Sequence, residues 1–402
     1  MALIRKRRIR KRGKRLRRLV KRPVKLSAYQ LGRNAGFQRG KEDGFLQGHF
    51  AASKAVEAVV ATQPPPLQQL SALVITAGII PSLEIGILQP FNELEQRGDF
   101  SFELRTEEDV SREVIASAHT IVFVRNVEPS AYVYLQWALE LGKRTVYVID
   151  DNFLEIPPTT PVGEYYADPA RRETFIKFLR NSHIIKVDSP TLGKYIQERF
   201  NKNVIYFPGS VDFEWLDQQP KHEAEDGQVV IGYEGGSKEE DFAVVVPALN
   251  KILNYYGGFV RLEFFGSIPA ALVNPSVKFE EGGMDYRSFI RKLNDSQWDI
   301  GLAPLEDHSF NNTKTNNKLR EYGACRIAGI YSNSPVYKPW VTHGETGYLV
   351  PHTVDGWYEG IKAMIENPAL RLQIKENAES AARQNFSLTQ CIDNWNTYIF
   401  KP

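Results

Sequence analysis

The chain has 402 residues, 42% hydrophobic and 24% charged, enough length and apolar content for two domains with cores of their own. Its formal net charge of +2 conceals fourteen Lys and Arg, and no acid, in residues 1–25; without them the remainder carries −12, so polyanion binding is confined to the tail. Two cysteines, Cys325 and Cys391, exclude a disulfide framework or a zinc cluster, and no stretch reaches the roughly 18 apolar residues of a membrane span.

Residues 1–26 read as a basic tail, and its lack of an apolar core after the charged start argues against a signal peptide. It holds no aromatic side chain on which bases stack. Non-specific attraction to an anionic surface or polymer therefore fits it best. Residues 27–62 carry glycine at 32, 36, 40, 44 and 48. On a helix that spacing drifts by about 40° per step, and each glycine costs about 1 kcal/mol against alanine. Two readings stand for this segment: a partly disordered stalk, or a helix that pairs with a second copy and forms a homo-oligomer. Residues 63–70, QPPPLQQL, read as a stiff linker.

From residue 71 the pattern becomes a βαβ alternation. ALVITAG, TIVFVRN and RTVYVID predict strands, with helical patterns such as AYVYLQWALELGK between them. HIIKVDS and NVIYFPG follow. The rhythm restarts with QVVIGYEGG, FVRLEFFG, WDIGLAPL and RIAGIYSN. Alternation of this kind predicts parallel sheets covered on both faces. The reading is an α/β protein with two tandem Rossmann-like domains, at 71–222 and 223–386, and a C-terminal helix at 387–402. Two such domains leave a cleft at the carboxyl ends of their strands.

Three stretches open on that cleft. In IGYEGGSKEEDF, Gly235 and Gly236 form a strand-to-helix turn where backbone N–H groups can approach a phosphate, with Lys238 adding charge. In FNNTKTNNKLREYGA, Thr315 or Asn316 suits the cap of a helix. Lys314 and Lys318 then lie at its positive end, where an anion is favoured. Glu321 follows on nearly the same face, as a carboxylate for a sugar diol. The bland alternative is a solvated helix start with a Lys318–Glu321 ion pair. In YVIDDNFLEIPP, Asp150 and Asp151 end a strand and suit an acid–base role, a metal pair or a helix cap. Arg125, ending TIVFVRN, faces the same rim. Of the histidines His308 lies nearest the cleft, and no metal-ligand spacing appears.

These residues resemble the "group 1" glycosyltransferases of the GT-B fold. FNNTKTNNKLREY is similar to that class's F-N-x-x-K-[ST]-x-x-K-x-x-E-Y variant. IYFPGSVD, IGYEGGSKEEDF, WDIGLAPLED and VTHGETGYLVP stand in the expected order, and coverage runs over about residues 70–400. The resemblance implies a nucleotide sugar, UDP- or GDP-linked, as donor substrate, with no metal and no further cofactor. Gly235, Gly236 and Lys238 would lie near its diphosphate. Asn311, Lys314, Thr315 and Lys318 would hold phosphates or sugar, and Glu321 the ribose. Asp150 or Asp151 would be the catalytic group, beside Arg125 and Gly78 on the acceptor side, facing a glycan or protein. HGETG would be a structural turn. Two departures stand out. Thr313 occupies the place of a second Glu, and Arg326 and Ala328 replace a usual Gly-x-Pro. The leader is similar to that of proteins described as spore-maturation glycosyltransferases, which implies a cytoplasmic enzyme held at a membrane or spore surface. A nucleotide-sugar epimerase and a non-catalytic scaffold of the same fold are the rival functions.

Overall fold

The computed structural model describes residues 70–401 apart from 99, 222–226, 237, 273 and 275–276. The basic tail, the glycine-repeat segment and residues 63–69 of the linker lie outside the described residues. Six strands form a first parallel sheet: β1 Leu70–Thr76, β2 Phe100–Thr106, β3 Thr120–Val124, β4 Arg144–Ile149, β5 Ile184–Val187 and β6 Val204–Tyr206, in the order β2-β1-β3-β4-β5-β6. A second parallel sheet holds β7 Val229–Gly235, β8 Val260–Gly266, β9 Val277–Glu281, β10 Ile300–Ala303, β11 Ala328–Ser332 and β12 Tyr348–Val350. Its order is β12-β11-β10-β7-β8-β9. Both orders reverse once, at β1/β3 and at β7/β10, and such a switch point opens a crevice beyond the strand ends.

The central strands read as unbroken apolar runs because helices cover both faces. Every residue of β3 is buried, and so are the last five of β4. Each sheet accordingly has two apolar clusters, one against each layer of helices. Three strands escaped the sequence reading: β2, β9 and β12. Glu103 and Arg105 on β2, and Lys278 and Glu280 on β9, break the apolar pattern. Charges of this kind are usual on edge strands, where they discourage pairing with other chains.

The chain crosses between the domains twice, and the crossings are bonded to each other. Val211 N–H donates to the Phe386 carbonyl at 2.8 Å, and Leu388 N–H donates to the Val211 carbonyl at 3.2 Å. After the second crossing, helix Leu388–Asn394 and a wider turn at Trp395–Phe400 pack on the first sheet. Trp395 meets Phe91 and Phe207 edge-on at 4.8 and 5.4 Å, and its Nε1–H donates to the Gly86 carbonyl at 2.8 Å. Among the described residues no helix is long and apolar enough to cross a membrane.

Because Trp395 is completely buried and also carries that hydrogen bond, Trp395→Ala is expected to cost about 3–5 kcal/mol of stability. A urea titration followed by circular dichroism measures it.

Candidate functional site

Three lysines converge where the second sheet reverses. Lys238 follows the glycine turn after β7. Lys314 and Lys318 flank the start of the helix Asn317–Ala324, here called α1. Each has its own carboxylate. Lys238 Nζ lies 3.3 Å from Asp241, Lys314 Nζ 3.7 Å from Asp151, and Lys318 Nζ 2.5 Å from Glu234. Lys318 also donates to the Glu234 carbonyl at 2.5 Å and sits 4.8 Å above the Tyr233 ring. Burial pushes the Lys238 ammonium down to about 8, helped by Lys314 and opposed by Asp241.

The turn itself depends on glycine. Gly235 has φ +137°, and a Cβ there would meet Tyr233 Oη at 3.0 Å and Lys318 Nζ at 3.3 Å. Only glycine takes this backbone without strain. A Cβ on Gly236 would face open space. A ligand can thus approach the backbone here and find ammonium groups beside it, an arrangement suited to an anion.

Several expected contacts are rearranged. Asn311 Nδ2 donates to Asp241 at 2.7 Å and to the Glu306 carbonyl at 3.1 Å, so its amide braces the loop rather than facing a ligand. Asn316 is the cap residue of α1, but its side chain makes no cap bond. Its Nδ2 is instead a buried donor with no partner, and it lines a cavity of about 180 Å³ with Asp188, Lys314 and Trp340. Thr315 is half-buried in the same loop. Thr313 Oγ1 donates to the Phe310 carbonyl at 2.9 Å and closes its own turn. The solvated Lys318–Glu321 pair does not form. Glu321 is only 5% exposed and accepts from Arg320 Nη2 at 2.9 Å. Burial lifts its carboxyl to about 7, although Arg320 pulls the other way.

Across the cleft, Asp150 and Asp151 differ. Both oxygens of Asp150 accept from Arg125, Oδ1 from Nε at 2.6 Å and Oδ2 from Nη2. Burial alone would raise the Asp150 carboxyl, but the Arg125 charge and hydrogen bonds outweigh it and hold it low. Asp150 is therefore a brace for Arg125, whose backbone stands in the left-handed region at φ 54°. Asp151 is more open and faces Lys314. With Arg125, Phe153, Tyr165, Tyr166, Phe310 and Lys314 it lines a cavity of about 570 Å³. Gly78, in the turn after β1, lines neither cavity. Ser309 Oγ donates to Glu155 at 2.9 Å, a second contact across the cleft.

The sequence reading missed the partners that hold the lysines. Asp241 and Glu234 stand inside the glycine-turn stretch, and the i,i+3 spacing of Lys238 and Asp241 was a legible signal. It also missed the aromatic wall, whose members Phe153, Tyr165 and Tyr166 are joined by a loop without periodicity. Although no metal-ligand spacing appears in the sequence, the fold brings ligand atoms of Glu240, Glu306 and His308 within 4.8 Å of one another at the rim. HGETG does form a turn, with Gly344 N–H donating to the Gly347 carbonyl at 2.9 Å.

No family model matches the chain, and no curated protein matches its sequence. Solved structures do share its architecture. Anabaena HepE in complex with UDP and glucose is 14% identical, with a TM-score of 0.61 over 83% of this chain and 100% of that one. Sucrose-phosphate synthase from Thermosynechococcus elongatus is 13% identical, with a TM-score of 0.59 over 82% and 98%. A glycosyltransferase from Rickettsia africae is 14% identical, with a TM-score of 0.58 over 83% and 98%. At such identities the likeness concerns the fold, which is the two-domain GT-B arrangement.

Lys238 is charged below about pH 8 and neutral above it. Sulfate, a simple probe for an anion site, keeps its double charge over this range. Its affinity is therefore expected to fall about tenfold between pH 7.5 and 9.5, the loss of one charge-assisted hydrogen bond. Isothermal titration across that range measures the step, which should vanish in Lys238→Gln.

Proposed function

We propose that this chain is a glycosyltransferase that takes a UDP- or GDP-linked sugar on its second domain and passes the glycosyl unit to a hydroxyl group held against the first. The observation that carries the reading is the convergence of Lys238, Lys314 and Lys318 on a glycine turn at the switch point of the second sheet. As the bond between the anomeric carbon and the diphosphate breaks, negative charge grows on the leaving phosphate, where preorganised ammonium groups stabilise it most. Gly235, Gly236 and Lys238 would bind the diphosphate, with Lys314, Thr315 and Lys318 around the sugar and phosphates. Glu321 would meet the ribose at the floor of the site. Asn311 would act by bracing the loop.

On the acceptor side Asp151 is the stronger candidate for receiving the hydroxyl proton, because Arg125 saturates Asp150. Three lysines supply the positive charge that a metal ion supplies elsewhere, so the reaction is proposed to be metal-independent.

The test is turnover of UDP-, GDP-, ADP- and CMP-sugars by the purified chain in EDTA, with and without a cell glycan extract. Acceptor-dependent release of UDP or GDP is the expected result. Donor conversion without acceptor identifies an epimerase, no donor binding identifies a scaffold, and activity only with manganese overturns metal independence. Glu321→Gln, which keeps the volume beside buried Arg320, is expected to weaken donor binding about tenfold. Glu321→Ala is a poorer test, because it also leaves the buried Arg320 Nη2 without an acceptor, at about 1–3 kcal/mol of stability.

The leader is proposed to recruit the enzyme: residues 1–26 to an anionic membrane, spore surface or polymer, and residues 27–62 to a second copy, from the cytoplasmic side. Removal of residues 1–62 should leave turnover on soluble substrates intact. Salt-sensitive sedimentation with phosphatidylserine vesicles should be lost, and any oligomer seen by light scattering should become a monomer. Loss of donor turnover on truncation would instead assign the leader to the catalytic body.

A further inference from the structure

The 570 Å³ cavity on the first-domain side of the cleft is within the size range of small-molecule sites, roughly 300–1,000 Å³. Its charged groups are already matched: Arg125 by Asp150, and Lys314 by Asp151. Apart from Thr160, the rest of the wall is apolar or aromatic. Val162 and Tyr165, on the helix Pro161–Ala167, are 56% and 36% exposed. They are two of only seven large hydrophobic residues left open to solvent among the described residues, and both line this cavity. Apolar surface gathered at a cavity mouth marks a binding face.

This wall is held rigid from behind. The Tyr166 ring lies flat on Phe153, with centres 4.2 Å apart and planes 11° apart. Phe153 is backed edge-on by Phe175 at 5.6 Å. Tyr165 is fixed by its hydroxyl, which donates to Glu128 at 2.5 Å, and by the Arg171 guanidinium 4.1 Å from its ring centre. Flat, preorganised faces cost little ordering entropy when a ligand docks. A pyranose suits them: it has a C–H face that packs on an aromatic ring and a rim of hydroxyls for Asp151. An anionic sugar would meet Asp151 with no unmatched cation in the lining.

We propose that the acceptor is a neutral glycan whose terminal pyranose packs on the wall formed by Val162, Tyr165 and Tyr166, with Asp151 facing its reacting hydroxyl. Because an acceptor side exists only if the chain transfers glycosyl units, this assignment rests on the reading above. Saturation-transfer NMR on the full chain, with UDP and then GDP present, tests both. The probes are maltose, cellobiose and N,N′-diacetylchitobiose, against glucuronate and glucose 6-phosphate. At least one neutral disaccharide is expected to receive saturation, and neither anionic sugar. Tyr166→Ala should weaken that binding about fivefold, the scale of one aromatic contact. Val162→Asp, at a position more than half exposed, should weaken it without disturbing the core and serves if Tyr166→Ala fails to fold. UDP or GDP saturation with no disaccharide signal, preference for an anionic sugar, or unchanged affinity in Val162→Asp overturns the neutral-glycan assignment and leaves the donor reading standing. No saturation of either UDP or GDP overturns glycosyl transfer, and the assignment with it.

Discussion

Holding three ammonium groups at one strand-switch point is the constraint on which the cleft depends. Like charges so close repel, and burial penalises each. The protein answers with one carboxylate apiece, drawn from three different elements: Asp241 after the glycine turn, Glu234 at the end of β7, and Asp151 on the opposite domain. The first two fix the charge within the second domain. The third ties it to the first domain, so one ion pair contributes both to the contact between the domains and to the charge of the site. An anion arriving there would meet lysines that are already aimed, with much of the ordering cost borne by folding rather than binding.

The parallel architecture was legible because buried strands declare themselves as unbroken apolar runs, and β3 and β4 could be read straight from TIVFV and RTVYVI. Edge strands β2 and β9 could not, since their charges look like loop composition. In the site, the glycine turn and α1 were legible from local spacing. Whether a particular carboxylate is free or spent was not. Asp150 and Asp151 are neighbours of equal chemistry, and only the left-handed turn at Arg125, which brings its guanidinium back onto Asp150, separates their roles. Likewise, Asn311 looked like a ligand group until Asp241, 70 residues earlier, was found against it. Local pattern carries the backbone, while pairing over long sequence separation decides which polar groups remain for a ligand.

Two departures from the resembled pattern have local answers. Thr313 spends its hydroxyl on the carbonyl of its own turn, so the negative charge a glutamate would bring is simply absent and the anionic balance shifts to Glu234 and Asp241. Arg326 stands at φ 54° in the turn leading to β11, a backbone that glycine takes without strain. The arginine is held there with its guanidinium 3.4 Å from Glu379 on the helix Pro368–Asn385.

The floor of the site ties these local facts to the domain junction. Arg320 and Glu321 are buried together, and a Cβ on Gly209 would come within 3.1 Å of Arg320 Nη1 and 3.2 Å of the Ile85 side chain. Gly209 begins the first crossing between the domains, and Ser210 beside it donates to the Ile85 carbonyl at 3.1 Å. Thus the side chain that neutralises Glu321 packs closely on Gly209, in the segment of chain joining the two sheets. Interiors at this density transmit displacement instead of absorbing it. The carboxylate at the bottom of the cleft is thus packed, through Arg320, against the junction between the domains.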